Sequence, residues 1–156
     1  MKVIVTVICL SFLYGCIGGG TLGGFETRIF PTSKKKLVRA IDTFFIGYPE
    51  YKLPQKWVSF NDWNARGYDF LDGRIFYFKT DPEEVYYITM YGDGNDSVQA
   101  DTTKTGISIR AYRNKNIGWT SESDCSRKEK QRVQKRFDEE IVSRIDSILG
   151  LKHAKE

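Results

Sequence analysis

Two amphipathic segments, one near each end of the chain, limit most strongly what it can fold into. The first carries apolar residues three or four positions apart, namely Leu37, Val38, Ile41, Phe44 and Phe45. The second, from about 126 to 149, carries its own apolar stripe: Val133, Phe137, Ile141, Ile145, Ile148 and Leu149. These spacings predict two helices, and each helix must bury its stripe against another layer.

The helix ends have recognisable signals. Thr32 or Ser33 can cap the first helix, and Gly47 can end it. The second helix begins with a capping box, in which Ser126 is followed three residues later by Glu129. We therefore expect both helices to form as defined elements.

Outside the two helices the sequence has strand-like patterns. Strands are predicted at 24–30, 68–71, 74–79, 84–91 and 105–113. In the first strand Phe25, Thr27 and Ile29 alternate with Glu26 and Arg28. In the last strand Ile107, Ile109 and Ala111 alternate with Ser108, Arg110 and Tyr112. An Asp72-Gly73 pair between two apolar runs predicts a tight hairpin.

Strands that follow one another through short turns are most simply antiparallel neighbours. The predicted fold is therefore α+β, in the order β-α-β-β-β-α. It is a two-layer sandwich: a mostly antiparallel sheet of four to five strands, with both amphipathic helices on one face. With 40% hydrophobic and 14% aromatic residues, the chain can build a core, and we expect one domain over 25–150 with a frayed tail at 151–156.

The N-terminus has a different composition. Lys2 precedes an apolar run over 3–13, and five glycines lie between residues 17 and 24. About eleven residues are too few to cross a ~30 Å bilayer core as a helix, but they suit a secretory signal. A buried N-terminal strand is the alternative, because the run is rich in β-branched residues. The glycines that follow favour a flexible tether instead.

The end of this run, Leu13-Tyr14-Gly15-Cys16, resembles the lipobox of bacterial lipoproteins. The resemblance covers about a tenth of the chain and carries no information on the folded domain. It implies that 1–15 is a cleaved signal peptide, that Cys16 is acylated, and that 16–24 is a tether to the lipid bilayer. Because Ile17 rather than aspartate follows the cysteine, the resemblance implies a cell-envelope location, with the outer membrane favoured.

The net charge and the cysteines bear on two questions, namely whether the protein binds nucleic acid and whether it forms a disulfide. The full chain has a net charge of +4, and loss of Lys2 with the signal leaves +3. That excess is too small to indicate a nucleic-acid partner. Cys9 leaves with the signal and Cys16 takes lipid, so Cys125 has no partner for a disulfide within the chain. We expect Cys125 to be buried, with pairing between chains as the alternative.

The sequence offers little for catalysis, metals or cofactors. His153 is the one histidine and lies in the tail, and no P-loop or GxGxxG motif is present. Oxygen-bearing residues alternate from Asp93 to Ser97, as in a calcium loop. The glycine and glutamate that an EF-hand requires are replaced by Val98 and Lys104. We therefore predict no metal and no cofactor, and a plain polar loop at this position.

The predicted function is that of a membrane-anchored, non-enzymatic binding or assembly module with an envelope protein or glycan as partner. Two surfaces are candidates for the contact. One is a sheet face with Tyr77, Tyr87, Tyr91, Tyr112 and Arg110, and the other is an aromatic groove with Trp57, Trp63 and Trp119. A carboxylate hydrolase of envelope glycans is one alternative, for which the candidate acids are Asp69, Asp72, Glu83 and Glu84. A domain without a specific ligand is the other.

Overall fold

The computed structural model describes residues 24–69, 71–92 and 103–156, and it has an α+β fold. The strands are β1 (Arg28–Phe30), β2 (Gly73–Phe78), β3 (Glu84–Gly92), β4 (Thr105–Asn114) and β5 (Ala154–Lys155). The α-helices are α1 (Lys34–Gly47), α2 (Gln55–Val58), α3 (Arg127–Phe137) and α4 (Ser143–Leu149). A π-helical turn, Asp138–Val142, joins α3 to α4. The lipobox and the calcium-like loop of the sequence prediction lie outside the described residues.

The strands form one five-stranded sheet in the order β2-β3-β4-β1-β5. Every neighbouring pair in it is antiparallel. Both long helical segments pack on the same face of this sheet and share one core with it. The predicted fold class and the side on which the helices lie are therefore confirmed. Within the described residues, no helix has the length and apolar character needed to cross a membrane.

The helix boundaries agree closely with the capping signals. Ser33 stands at the N-cap of α1, which ends at Gly47. The Ser126 hydroxyl accepts a hydrogen bond from the Glu129 N–H at 3.2 Å. The helical segment ends at Gly150, whose φ of 64° is readily adopted only by glycine. The π-helical turn has no sequence signal that we identified.

The predicted hairpin at Asp72-Gly73 is wrong. The described residues of 68–71 are in turn conformation, and β2 begins at Gly73 itself. The chain before β2 is not a strand because it crosses to the second face of the sheet, as described below. The first strand is also shorter than predicted, since it covers three residues only.

A β-bulge in β4 interrupts the predicted alternation of core-facing and outward-facing side chains. Tyr87 pairs with Ala111, whereas the next residue, Ile88, pairs with Ile109. Arg110 is therefore the extra residue, and one extra residue reverses which side chains face the core beyond it. Tyr112 consequently lies in the main core at 2% exposure, and the predicted position of Tyr112 on an open sheet face is wrong.

The C-terminal tail is not frayed. Ala154 and Lys155 form β5, which pairs with β1 at the sheet edge, and the Glu156 N–H donates to the Thr27 carbonyl. His153 is bound through its Nδ1 to Asp146 at 2.8 Å. Backbone pairing at the sheet edge explains why this short tail is held without a repeating hydrophobic pattern.

A fully buried carboxylate joins β3 to α3. Glu84 has 0% exposure, and Arg132 binds both of its oxygens, at 3.0 and 2.5 Å. Arg136 donates to the same carboxylate at 3.0 Å, and the Tyr86 hydroxyl donates at 3.0 Å. The negative charge of Glu84 is thus paired with two arginines, and both of its oxygens accept hydrogen bonds, as a buried carboxylate requires.

A second buried ion pair joins β1 to the start of the π-helical turn. The Arg28 guanidinium, also at 0% exposure, binds Asp138 through Nε at 2.6 Å and Nη2 at 3.0 Å. Lys155 of β5 reaches the same carboxylate at 2.7 Å. Burial raises the pKa of Asp138, but the hydrogen bonds from Arg28 and Lys155 outweigh it and leave the pKa below its ordinary value. Arg28 therefore lies on the core side, contrary to the simple alternation of the predicted strand.

Replacing Glu84 should destabilise the fold strongly. We expect Glu84→Gln to lower the free energy of unfolding by about 3 kcal/mol, because two arginines lose a buried counter-charge. Glu139→Gln is the matched control, since its pair with Lys135 spans 3.8 Å between two exposed side chains. It should cost less than about 1 kcal/mol. Urea unfolding of the two variants measures the difference, and equal losses would contradict the assigned role of Glu84.

Candidate binding groove

The second face of the sheet is covered by the irregular segment 53–72. Trp57 of α2 is 3% exposed and packs with Tyr77 and Val85, which are neighbours across β2 and β3. Leu53, Ile75 and Trp119 complete this smaller cluster. The predicted open sheet face is therefore largely occupied by the chain itself.

Glu83 holds this covering segment to the sheet. The Trp57 indole N–H donates to its Oε1 at 3.2 Å, and the Tyr77 hydroxyl donates to the same oxygen at 2.5 Å. Lys115 is 2.7 Å from Oε2, and Lys56 is paired with Oε1. Hydrogen bonds from Lys115, Lys56 and Tyr77 hold the pKa of the Glu83 carboxyl far below its ordinary value. Glu83 thus stays ionised over the whole physiological range.

Beside this cluster lies a concave site of about 310 Å³, which we name the aromatic groove. Its aromatic walls are Trp63, Tyr68, Tyr87 and Trp119. Its other lining residues are Arg66, Leu71, Arg110, Ala111, Ser121, Ser123 and Asp124. The groove combines flat apolar surfaces with a few charged and hydroxyl groups, as ligand sites commonly do.

The aromatic walls are held by stacking. The Trp63 ring lies on the Tyr87 ring with centroids 4.1 Å apart and planes within 10° of parallel. Trp119 and Tyr68 contact Trp63 edge-on, at 5.0 and 5.5 Å. A Cβ atom at Gly73 would lie 2.4 Å from the Tyr87 ring. Gly73 is therefore required here by close packing rather than by a turn.

Hydrogen bonds and an ion pair hold the polar side chains that line the groove. The bulge in β4 directs Arg110 to the groove, where its Nε donates to the Thr89 hydroxyl at 2.6 Å. Arg66 pairs with Asp62 at 2.7 Å, and the Ser121 hydroxyl donates to Asp124 at 2.6 Å. Ala111 contributes a small side chain opposite Tyr87, which leaves room for the concavity.

The structure brings together four of the eight predicted surface residues, namely Trp63, Trp119, Tyr87 and Arg110. Three others are placed elsewhere. Trp57 and Tyr77 are buried around Glu83, and Tyr112 is in the main core, where its hydroxyl donates to Glu129 at 3.1 Å. Tyr91 belongs to β3, and the surface role predicted for its side chain falls outside what the structure describes.

Sequence reasoning missed Arg66, Tyr68 and Asp124 as groove residues. Tyr68 was assigned to a strand that does not form. Arg66 and Asp124 lie in connections that have no periodic pattern. The aromatic-rich composition of the segment around Trp57 and Trp63 was the available signal, and Trp63 of this segment lines the groove.

The four candidate acids of a hydrolase are dispersed. Glu83 and Glu84 are paired with cations on opposite sides of β3, Asp72 is paired with Lys34 and Arg74, and Asp69 is exposed. A general acid must hold a proton near neutral pH, which the lowered pKa of Glu83 prevents. None of these four carboxylates lines the aromatic groove in the described part of the chain. The arrangement therefore does not favour carboxylate catalysis.

Cys125 is half-buried rather than fully buried. Its thiol donates to the Ser121 carbonyl at 3.2 Å, and burial raises its pKa. Over 24–69, 71–92 and 103–156, no group of three His, Cys, Asp or Glu side chains is arranged to hold a metal ion.

Comparison of the chain with protein-family models, with curated proteins and with solved structures found no match.

Because Glu83 is paired with cations, we predict that the free energy of unfolding falls at acidic pH. The pKa of the Glu83 carboxyl in the folded state is below the ordinary 4.5. The ionised carboxylate therefore makes its whole contribution to the free energy of unfolding at neutral pH. That contribution is lost as the pH falls from about 4.5 towards the folded-state pKa. We expect the wild-type protein to lose more free energy of unfolding between about pH 7 and about pH 3 than Glu83→Gln does.

Urea unfolding at both pH values measures this difference. Glu50→Gln, at an exposed position, is the matched control and should behave as the wild-type protein does. An equal loss in the wild-type protein and in Glu83→Gln would show that the pairing of Glu83 does not contribute to acid sensitivity.

Proposed function

We propose that the protein is a lipid-anchored, non-enzymatic module of the cell envelope that binds a saccharide in its aromatic groove. The groove is the observation that carries this proposal, because it assembles four aromatic rings with charged and hydroxyl side chains in one concavity. The envelope location and the anchor rest on the lipobox resemblance and Cys16.

The lining suits the chemistry of a sugar ring. A pyranose presents an apolar face of C–H groups, which packs on aromatic rings, and hydroxyls that need hydrogen-bond partners at its edge. Trp119 and Tyr68 are half-buried, so each has surface available beside the stacked Trp63. Arg66, Asp124 and the serine hydroxyls lie around them as donors and acceptors.

The size of the groove favours a saccharide over a protein partner. A volume of about 310 Å³ is at the lower end of small-molecule sites. A stable protein interface needs roughly 1,000 Å² or more of buried surface. The rest of this sheet face is already covered by the chain's own segment, which reduces the area left for a protein.

The position of the groove is compatible with a membrane anchor. Gly24, the first described residue, lies beside the groove, since a Cβ atom there would be 3.2 Å from Arg110 Nη1. Gly24 is the eighth residue after Cys16, and the chain from one to the other reaches at most ~26 Å when extended. An acylated Cys16 would therefore keep the groove close to the membrane surface and its glycans.

Removing a groove wall should weaken saccharide binding. We expect Trp119→Ala to lower the affinity for its oligosaccharide at least about tenfold, because an aromatic contact is lost. Tyr48→Ala removes a half-buried ring at the C-terminal end of α1, on the helix side, and should leave the affinity unchanged. Calorimetric titration with soluble oligosaccharides prepared from bacterial envelopes measures both variants. Absence of binding to every oligosaccharide would overturn the proposed ligand class.

The anchor is tested separately. We expect the native protein to begin at Cys16, to carry acyl chains by intact mass, and to fractionate with membranes. The Cys16→Ser variant should not be acylated and should leave the membrane fraction. A native protein that is soluble and retains Met1 would contradict the anchor and the envelope location together.

A further inference from the structure

A second, smaller pocket of about 160 Å³ lies next to the aromatic groove. Its lining residues are Lys56, Trp57, Phe60, Arg113, Asn114 and Lys115, and we name it the cationic pocket. Residues that line the two concavities are joined by a contact in which the Trp119 indole N–H donates to the Phe60 carbonyl at 3.1 Å. A ligand in one is therefore within reach of the other.

The cationic pocket has an excess of positive charge. Lys56, Arg113 and Lys115 line it, and among the residues that the structure describes no carboxylate lines it. Glu83 is the acid that pairs with the two lysines, at Oε1 and Oε2 respectively. One carboxylate among three cations leaves two positive charges in excess, so the site attracts an anion.

Arg113 is the cation with no counter-charge. Within the described residues it makes no ion pair, and its Nε is buried without a hydrogen-bond partner. Its guanidinium lies 4.0 Å from the centroid of the Phe60 ring. The ring fixes the position of the guanidinium by a cation–π contact, and no hydrogen bond to another described residue occupies its Nη N–H groups. A planar fork of donors matches the two oxygens of a carboxylate or phosphate.

Glu83 contributes to the shape of the pocket. It binds Lys56 from α2 and Lys115 from the turn after β4, so both ammonium groups are held at one side of the site. Each ammonium has three donors, and the pair with Glu83 leaves others free for a ligand. The cations are therefore positioned before a ligand arrives, which lowers the entropic cost of binding.

We propose that the cationic pocket binds one oxyanion, a phosphate or carboxylate group, through Arg113, Lys115 and Lys56. The inference goes beyond the saccharide proposal and does not depend on it. The oxyanion can be a free ion, or it can be carried by the ligand that occupies the aromatic groove. In the second case the ligand is an acidic saccharide that spans the Trp119–Phe60 contact.

Titration of the protein over 16–156, without lipid, tests the pocket directly. Inorganic phosphate is added at constant ionic strength, and the Arg113 Nε–H signal is followed by ¹⁵N NMR. We expect a saturable shift of this signal. Arg113→Gln should weaken phosphate binding at least about tenfold, and Lys115→Gln about threefold or more. Arg127→Gln, an exposed arginine at the start of α3, is the matched control and should bind as the wild-type protein does.

The Lys115→Gln variant keeps the test decisive if Arg113→Gln fails to fold, because Lys115 is exposed at the end of a strand. A signal that does not shift, or an equal loss of affinity in Arg127→Gln, would overturn the proposal. In the latter case the protein's net charge, rather than this pocket, would account for the binding.

The source of the oxyanion is resolved by comparing inorganic phosphate, a hexose phosphate and the neutral hexose. In one outcome the hexose phosphate binds more tightly than inorganic phosphate, and the extra affinity is absent from Trp119→Ala. This result supports the pocket and assigns the anion to a ligand that spans both sites. Equal binding of both phosphates, unaffected by Trp119→Ala, supports the pocket as a site for the free ion. Phosphate binding without binding of any oligosaccharide, neutral or acidic, would overturn the groove proposal alone. Binding of a neutral oligosaccharide without phosphate binding would overturn the pocket alone.

Discussion

The structure depends on two carboxylates that are adjacent in sequence and point to opposite sides of β3. Glu84 is buried under the helices and binds Arg132 and Arg136, whereas Glu83 lies on the other side and binds Lys56 and Lys115. Successive side chains of a strand alternate between faces, so two neighbouring acids can hold two different layers to one sheet. Arg136 also donates to the Pro82 carbonyl at 2.6 Å, which ties the turn before β3 to the same helix. The position of the helix layer and that of the covering segment are thereby coupled through one turn.

Buried ion pairs cost desolvation, and their value lies as much in specifying geometry as in adding stability. The apolar core of α1, α3, α4 and the sheet supplies the burial that drives folding. The pairs of Glu84 and of Arg28 with α3 and the π-helical turn determine how the C-terminal helix lies on that core. A helix with an apolar stripe alone can slide or rotate on a sheet, whereas two bidentate contacts at β1 and β3 allow one register.

The second face of the sheet is where the candidate function resides. The segment 53–72 has little regular structure, and it is held by Trp57, by Glu83 and by the stack of Trp63 on Tyr87. Irregular segments supported by a rigid sheet often carry binding residues, because side chains from several connections converge there. Here they form an aromatic groove and a cationic pocket on either side of the Trp119–Phe60 contact. We propose that the two sites form one ligand surface with an apolar part and a cationic part.

The sequence by itself determined the elements that arise from local pattern and capping: α1, the long C-terminal helix, its Ser126 cap, the strands β2 to β4 and the antiparallel α+β class. It also indicated the aromatic-rich region that holds the candidate site. Only the tertiary structure decided which aromatic residues face a groove, because that choice depends on a one-residue bulge at Arg110 and on a segment without periodicity. It likewise decided the burial of Arg28 and Glu84 and the pairing of β5, since charged side chains and a two-residue edge strand carry no hydrophobic signal. Each of these outcomes requires partners distant in sequence, and local pattern contains no information about them.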